Sequence, residues 1–209
     1  EIVALADAFR DRLDSSLKTL RENVPAAVKV RPDRCFVGLD AYRKLTALGD
    51  VNYVIAATPP GFRPIHLKAA VEAGKHVFVD PAGVRSVIAS SALAAEKGLS
   101  IVAGTQRRHQ KKYLELMKRI HDGAIGEPVG GQCYWNGGEL WVVEKTPEMS
   151  EMEWQCRNWL YFTWTSGDHI VEQHVHNIDV INWALGAVPV KAMGMGGRQV
   201  RTGPEYGNI

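Results

Sequence analysis

Across residues 1–122 the chain alternates five short, nearly continuous apolar runs with segments of helical character. That alternation restricts the fold sharply. A strand with no polar face must be covered on both sides, and a parallel sheet flanked by helices does this. The runs fall at residues 1–7, 35–38, 53–57, 76–79 and 100–104. The segments between them carry helix punctuation. Helices are expected over 9–23 and over 41–48, the second capped by Asp40. Another is expected over 64–73, opened by Pro64 and closed by Gly74. Two more are expected, one from Asp80-Pro81 to about residue 97 and one over 110–122.

The pattern changes after Gly123. Gly126-Glu127-Pro128-Val129-Gly130-Gly131 reads as a boundary. Beyond it the sequence predicts a strand at 132–136, an irregular tryptophan-rich stretch to Trp164, a helix over 170–185 and a strand at 190–195. The expected architecture is a Rossmann-like α/β domain over 1–123, followed by the start of an α+β domain over 124–209. Composition excludes several alternatives. Residues are 45% hydrophobic and 23% charged, which supports a packed core. The formal net charge is +2, with no basic stretch interleaved with aromatics, so no nucleic-acid partner is expected. No apolar window reaches the roughly 18 residues of a membrane span, and no membrane partner is expected. Cys35, Cys133 and Cys156 are odd in number and far apart, which suits neither a disulfide framework nor a zinc knuckle. A cytoplasmic, reducing location is expected. The periplasm stays open because the chain reads as starting inside a fold.

Two features interrupt the frame. The chain opens on a strand ending in Asp7, with no G-x-G-x-x-G before it. In a dinucleotide-binding half the glycine turn follows the first strand, and a ribose-binding acid comes about 20 residues later. Asp7 fits that acidic position, or it is an ordinary acid at a helix N-terminus. The second feature is the junction of Val79 with Asp80, a strand running into a helix cap without the usual loop of about 2–6 residues.

Two segments carry a family resemblance. Ala57-Thr58-Pro59-Pro60 is followed by His66-Leu67-Lys68-Ala69-Ala70-Val71-Glu72-Ala73-Gly74-Lys75-His76-Val77. Further on stands Gly167-Asp168-His169-Ile170-Val171-Glu172-Gln173-His174-Val175-His176-Asn177-Ile178-Asp179. Together they resemble the Gfo/Idh/MocA oxidoreductases, over nearly the whole chain. The resemblance implies an NAD(P)-dependent enzyme acting on a sugar or polyol hydroxyl, with a second domain for substrate and for homo-oligomer contacts (dimer or tetramer). There are departures. The family continues A-G-K-H-V into a Glu-Lys-Pro tripeptide whose lysine is central to catalysis, whereas Asp80-Pro81-Ala82 follows Val79 here. That lysine is not assigned to Asp80. The family frame fits better with residues missing at that junction, a first strand with its glycine loop ahead of residue 1, and a sheet beyond Ile209. The expectation is a piece of a longer protein, and an intact mass of 23.1 kDa would contradict it.

Within that frame the candidate residues divide by role. Glu172 and His176, spaced i, i+4, share a helix face. An imidazole there can take a hydroxyl proton as hydride leaves the carbon, with the carboxylate orienting it. The family usually has aspartate where Glu172 stands. His174 adds a polar group but points about 200° away from His176 in an ideal helix. Asp7, Thr58, Pro59, Pro60 and His66 are the cofactor-binding candidates. The acid favours NAD over NADP, while Arg10 and Arg12 keep NADP open. Arg107, Arg108, Trp135, Asn136, Arg157, Trp159 and His174 are the substrate-binding candidates, with Asn158 beside them. Aromatic faces stack on sugars, and core packing explains at least half of the rings. A salt bridge is an equal reading for the arginines. A metal site using His169, Glu172 and His176 is the minor alternative, and H-E-x-x-H is absent. Two other functions compete with the leading one. One is an NAD-dependent glycosidase that oxidises, eliminates and re-reduces its substrate. The other is a non-catalytic sugar- or cofactor-binding relative.

Overall fold

The structure is a computed structural model that describes residues 1–79, 83–138 and 140–209. The chain packs into two compact units. One comprises residues 1–57 and 63–103, and the other residues 58–62 and 104–209.

In the first unit all five expected strands form. The element order is β1 (Leu5–Asp7), α1 (Arg10–Asn23), β2 (Cys35–Val37), α2 (Ala41–Thr46), β3 (Tyr53–Ala56), α3 (Arg63–Glu72), β4 (His76–Val79), α4 (Val84–Glu96) and β5 (Ile101–Ala103). Every pairing is parallel, as helices between successive strands require. β4 is the centre of a three-stranded sheet, with Val77 opposite Val54 on β3 and Ile101 on β5. β1 and β2 form a separate pair, with Leu5 opposite Cys35. The expected sheet is thus present as two sheets. A continuous one needs β1 and β3 joined directly or through a strand between them, and among the described residues neither ladder exists.

The core lies where α3 covers β4. Leu67, Ala70 and Val71, at i, i+3 and i+4, are fully buried against Val77, Val79, Ala56 and Ala94. The A-G-K-H-V run punctuates this core. Gly74 takes φ +74, the left-handed turn that closes α3. The Lys75 amide then donates to the Ala70 carbonyl at 2.9 Å. Lys75 is buried, and its Nζ donates to the Leu48 carbonyl at 2.7 Å, just past α2. Lys97 Nζ donates to the Val71 and Glu72 carbonyls, satisfying the end of α3. Asp40 precedes α2 as expected, but its side chain makes no capping bond. Its backbone, at φ −98 and ψ 0, is already close to helical, and a cap needs an extended residue. The helix start expected at Asp80-Pro81 lies outside the described residues. α4 begins at Val84, after Gly83 in the left-handed region.

His66 on α3 stacks against Tyr42 of α2, with ring centroids 4.5 Å apart. Burial pushes its imidazole below the ordinary value. Unfolded, the ring titrates near about 6.5, so just below that pH the unfolded chain holds the extra proton. This contribution to stability is therefore full above about pH 6.5 and is lost as pH falls towards the lowered folded value. Thermal melts taken from about pH 7.5 down to about pH 5 should show a decline that flattens in His66→Phe. An unchanged slope in the variant would contradict this.

The second unit is built on α5 (Lys111–His121), α6 (Glu151–Arg157), α7 (Thr163–Ser166) and α8 (Val175–Leu185). α5 packs on α8, and His121 donates from Nε2 to the Trp183 carbonyl at 2.9 Å. α5 therefore clusters with the second unit, whose main segment starts at Gly104. The strands expected at 132–136 and 190–195 do not form. The first of these segments lies along α8 instead. A Cβ on Gly131 would meet Ile181 at 2.7 Å, and Asn177 Nδ2 donates to the Tyr134 carbonyl at 2.6 Å. In the second, Val190 and Met195 are fully exposed, and among the described residues no strand offers them a ladder.

Candidate active site

The helix expected over 170–185 has two parts. Residues Ile170–His174 form a π-helical turn, in which the Val175 amide bonds back to the Ile170 carbonyl, and α8 follows. A turn of this kind carries an extra residue and recurs at functional sites. Its origin is local. Gly167 (φ +79) and Asp168 (φ 68) are successive left-handed residues. A Cβ on Gly167 would sit 2.8 Å from the Val171 side chain, so the chain doubles back with no room for another residue type. Ser166, fully buried, accepts the Asp168 amide on Oγ at 3.1 Å and fixes the reversal.

Glu172 lies on the π turn and His176 on the first turn of α8, about one turn apart. Glu172 accepts a hydrogen bond on Oε2 from the Gln173 side-chain Nε2. It faces a small, open pocket of about 40 Å³, shared with Asp168, His169, Gln173, Arg201 and the apolar Leu140 and Leu160. His176 meets Trp135, with ring centroids 6.3 Å apart, and its Nδ1 is buried. Arg107 lies over the same Trp135 ring at 5.6 Å. Its Nη1 is buried with no hydrogen-bond partner among the described residues. Three candidates thus come together as Arg107, Trp135 and His176.

The other candidates have different neighbours. Arg108 makes a two-pronged ion pair with Asp179 of α8, at 2.9–3.1 Å, and lies over Trp183 at 4.9 Å. The pairing holds its guanidinium pKa above the ordinary value. Arg157 pairs with Glu153 one turn earlier at 2.9 Å, and Trp159 packs on Trp141. His174 has His169 as its ring neighbour at 6.1 Å, and Asn136 is exposed. Asn158 is a correction. It is fully buried, and its amide is spent on the backbone, as Oδ1 accepts the Val143 amide and Nδ2 donates to the Glu205 carbonyl. Asp168, Gln173 and Arg201 were not singled out from sequence. The Gly167-Asp168 pair before the helix is the one signal that could have pointed to the first of them. Among the described residues no group of three or more His, Cys, Asp or Glu side chains could hold a metal ion.

In the first unit, Asp7 ends β1 and accepts the Phe9 amide on Oδ1 at 2.8 Å. One carboxylate oxygen is thereby anchored to the entry of α1. Thr58, Pro59 and Pro60 follow β3, and the Phe62 amide closes this turn on the Pro59 carbonyl at 3.0 Å. The turn packs on α7, where a Cβ on Gly61 would lie 2.3 Å from the Trp164 carbonyl oxygen.

Parallel strands alternating with helices make a Rossmann-type α/β fold, and solved structures share it. A scyllo-inositol dehydrogenase from Lactobacillus casei, solved with NAD(H) and scyllo-inositol, aligns with TM-score 0.58 and 21% identity over 89% of this chain and 48% of its own. An aldose-aldose oxidoreductase from Caulobacter crescentus aligns with TM-score 0.60 and 18% identity, over 89% of this chain and 50% of its own. The relatives by sequence include inositol dehydrogenases, in keeping with the resemblance drawn from the motifs. An inositol 2-dehydrogenase/D-chiro-inositol 3-dehydrogenase of Halalkalibacterium halodurans is 29% identical over 147 residues, 68% of this chain and 36% of that protein. A glycosyl hydrolase family 109 protein of Streptomyces niveus is 28% identical over 206 residues, 92% of this chain and 39% of that protein. The chain thus spans well under half the length of these curated relatives. No family model matches it. Among the described residues no helix is long and apolar enough to cross a membrane.

Proposed function

We propose that this chain belongs to an NAD(P)-linked oxidoreductase that interconverts a carbinol and a carbonyl on a sugar or polyol. The observation that carries this reading is the His176 imidazole held against Trp135 beside Arg107, one turn from Glu172, which itself lines a pocket with Asp168, Arg201 and two leucines. A bound nicotinamide supplies the hydride acceptor. The remaining work falls to side chains of this chain. His176 accepts the hydroxyl proton as the carbon is oxidised and returns it in the reverse direction. Glu172 accepts hydrogen bonds from substrate hydroxyls and biases the orientation of the imidazole. Trp135 offers a flat apolar face to the sugar ring, and Arg107, with a buried donor atom to satisfy, binds an oxygen of the substrate. Trp159, His174, Asn136 and Arg157 are peripheral in this reading, and Arg108 is a positioning residue for α8 through Asp179.

Asp7 fits the acceptor of a ribose hydroxyl, being a strand-end carboxylate with one oxygen fixed by the Phe9 amide. Its charge disfavours a 2′-phosphate, so NAD is the proposed cofactor, with NADP the weaker one. Thr58, Pro59 and Pro60, following β3, are proposed as cofactor-binding residues, and His66 as part of the α3 scaffold. The three cysteines are free, in keeping with a reducing compartment, where we place the protein as a homo-oligomer.

One observation favours a second reading. The glycosyl hydrolase relative aligns over 92% of the chain. A glycosidase that uses its nicotinamide transiently would need the same proton-transfer group. The two readings separate in one assay with the protein, NAD and two substrate types. Accumulation of NADH with free cyclitols or sugars is expected. Release of an aryl group from an aryl glycoside without net NADH would replace the first reading by the second.

A further inference from the structure

We propose that Arg107, with Lys112 beside it, is a subsite for an acidic group carried by the substrate, so that a sugar or polyol bearing a carboxylate or a phosphate is bound ahead of its neutral parent. The proposal rests on the oxidoreductase reading above and specifies the substrate class of that site. The pattern of charge pairing along residues 107–122 carries it. Lys118 pairs with Asp122 and Arg119 with Glu115, each about one turn apart on α5. Arg108 pairs with Asp179. The side chains of Arg107, Lys111 and Lys112 make no ion pair or hydrogen bond with the described residues. Glu115 stands one turn past Lys111, but it is bound to Arg119 at 2.9 Å. Positive charge is therefore left over at the start of α5 and compensated along the rest of it.

Two of these cations meet at one ring. Arg107 Cζ lies 6.0 Å and Lys112 Nζ 5.8 Å from the centroid of Tyr113. They repel each other, and the negative face of the ring offsets part of that repulsion. An anion held by both offsets more. Arg107 is the better placed of the two. Its Nη1 is buried without a hydrogen-bond partner among the described residues, while the side chain as a whole is half-buried. A guanidinium that has lost water on one side gains more from an anion than a fully solvated one, because the local dielectric is lower. Its remaining donors form a fork that matches a carboxylate or a phosphate two bonds at a time. A neutral hydroxyl leaves the charge uncompensated. Trp135, the other ring beside Arg107 at 5.6 Å, is also the ring neighbour of His176 at 6.3 Å. The acid-binding group and the proton acceptor thus flank one indole, which stays 37% exposed and open to a ligand.

The test is titration calorimetry at about 0.1 M salt with matched sugars, alongside thermal melts and NADH formation on the same samples. Glucose is set against glucuronate and glucose 6-phosphate, and galactose against galacturonate and galactose 6-phosphate. In wild type at least one acid should bind about tenfold or more tighter than its neutral parent. A gain confined to the uronates identifies a sugar acid, a gain confined to the phosphates identifies a sugar phosphate, and either supports the subsite. Arg107→Gln should close the gap to about twofold or less, and Arg107→Lys should keep part of it. Lys112→Gln, at an exposed position, should narrow the gap by about two- to threefold. If Arg107→Gln melts early, the wild-type gap and Lys112→Gln decide. Acids and neutral parents bound equally by wild type, no binding of any acid, or an acid preference that survives in both glutamine variants would overturn the subsite. In those cases continued NADH formation leaves the oxidoreductase reading standing. An Arg107-dependent acid preference without NADH formation from any sugar removes that reading and keeps the subsite.

Discussion

Replacing His176 with alanine should lower turnover by about 10²-fold or more while leaving nicotinamide affinity unchanged. The imidazole is the one group of the Arg107, Trp135 and His176 cluster that can both take up and return a proton. An arginine stays charged, and an indole only donates. Without the ring, the carbinol proton has no acceptor of matched basicity as the carbon is oxidised, and the barrier rises by about 2.7 kcal/mol for each hundredfold. The loss should appear in kcat, because proton removal belongs to the transition state and not to ground-state binding. Trp135 would lose a ring neighbour at 6.3 Å, so a thermal melt belongs beside the kinetics. A variant that melts normally, binds NAD normally and turns over at the wild-type rate would remove His176 from proton transfer. The same kinetics on Glu172→Gln should show a smaller loss, since that residue orients and binds and does not take the proton.

Asn158→Ala should destabilise the second unit by about 2–5 kcal/mol, a large share of a domain's typical margin. Asn158 is fully buried, and its side chain ties three stretches of chain together. It projects from the end of α6, accepts the Val143 amide at 2.9 Å and donates to the Glu205 carbonyl at 2.8 Å. Alanine leaves both backbone groups buried and unpaired, each at about 1–3 kcal/mol, and adds a small cavity. The neighbouring Trp154 donates from Nε1 to the Val143 carbonyl at 2.6 Å, so Val143 would keep one of its two bonds to these side chains. Asn158→Asp should fail as well, because a carboxylate cannot donate to the Glu205 carbonyl and would face its oxygen unprotonated. Chemical denaturation read by tryptophan fluorescence checks this. A loss under about 0.5 kcal/mol would show that water replaces the lost bonds.

The first unit was legible because its information is local. Gly74 and Gly98 sit where left-handed stops are needed, and the apolar runs at 53–57, 76–79 and 100–104 became paired strands. What the sequence did not reveal depends on contacts between distant residues. The π turn at 170–174 follows from the tight approach of Gly167 to Val171 and from the bond of Ser166 to the Asp168 amide, neither of which has a periodicity. Segments 132–136 and 190–195 have strand composition, but a strand exists only with a partner edge. Asn158 has the side chain of a surface ligand group, and only distant backbone at Val143 and Glu205 gives it its buried role. For Arg108 an ion pair is one of two equal readings of the sequence, and the partner, Asp179, lies 71 positions away. In the site itself the His176 and Glu172 spacing was readable as helical. The pocket with Asp168 and Arg201 was not, since those two residues are 33 positions apart in the sequence.

The most direct test of the proposed oxidoreduction is the steady-state formation of NADH by the protein with NAD and a panel of neutral cyclitols and sugars. The expected result is sustained NADH formation with at least one of them, lost by about 10²-fold or more in His176→Ala. Retained NAD binding with no NADH formed from any member, or equal rates in His176→Ala and wild type, would contradict it.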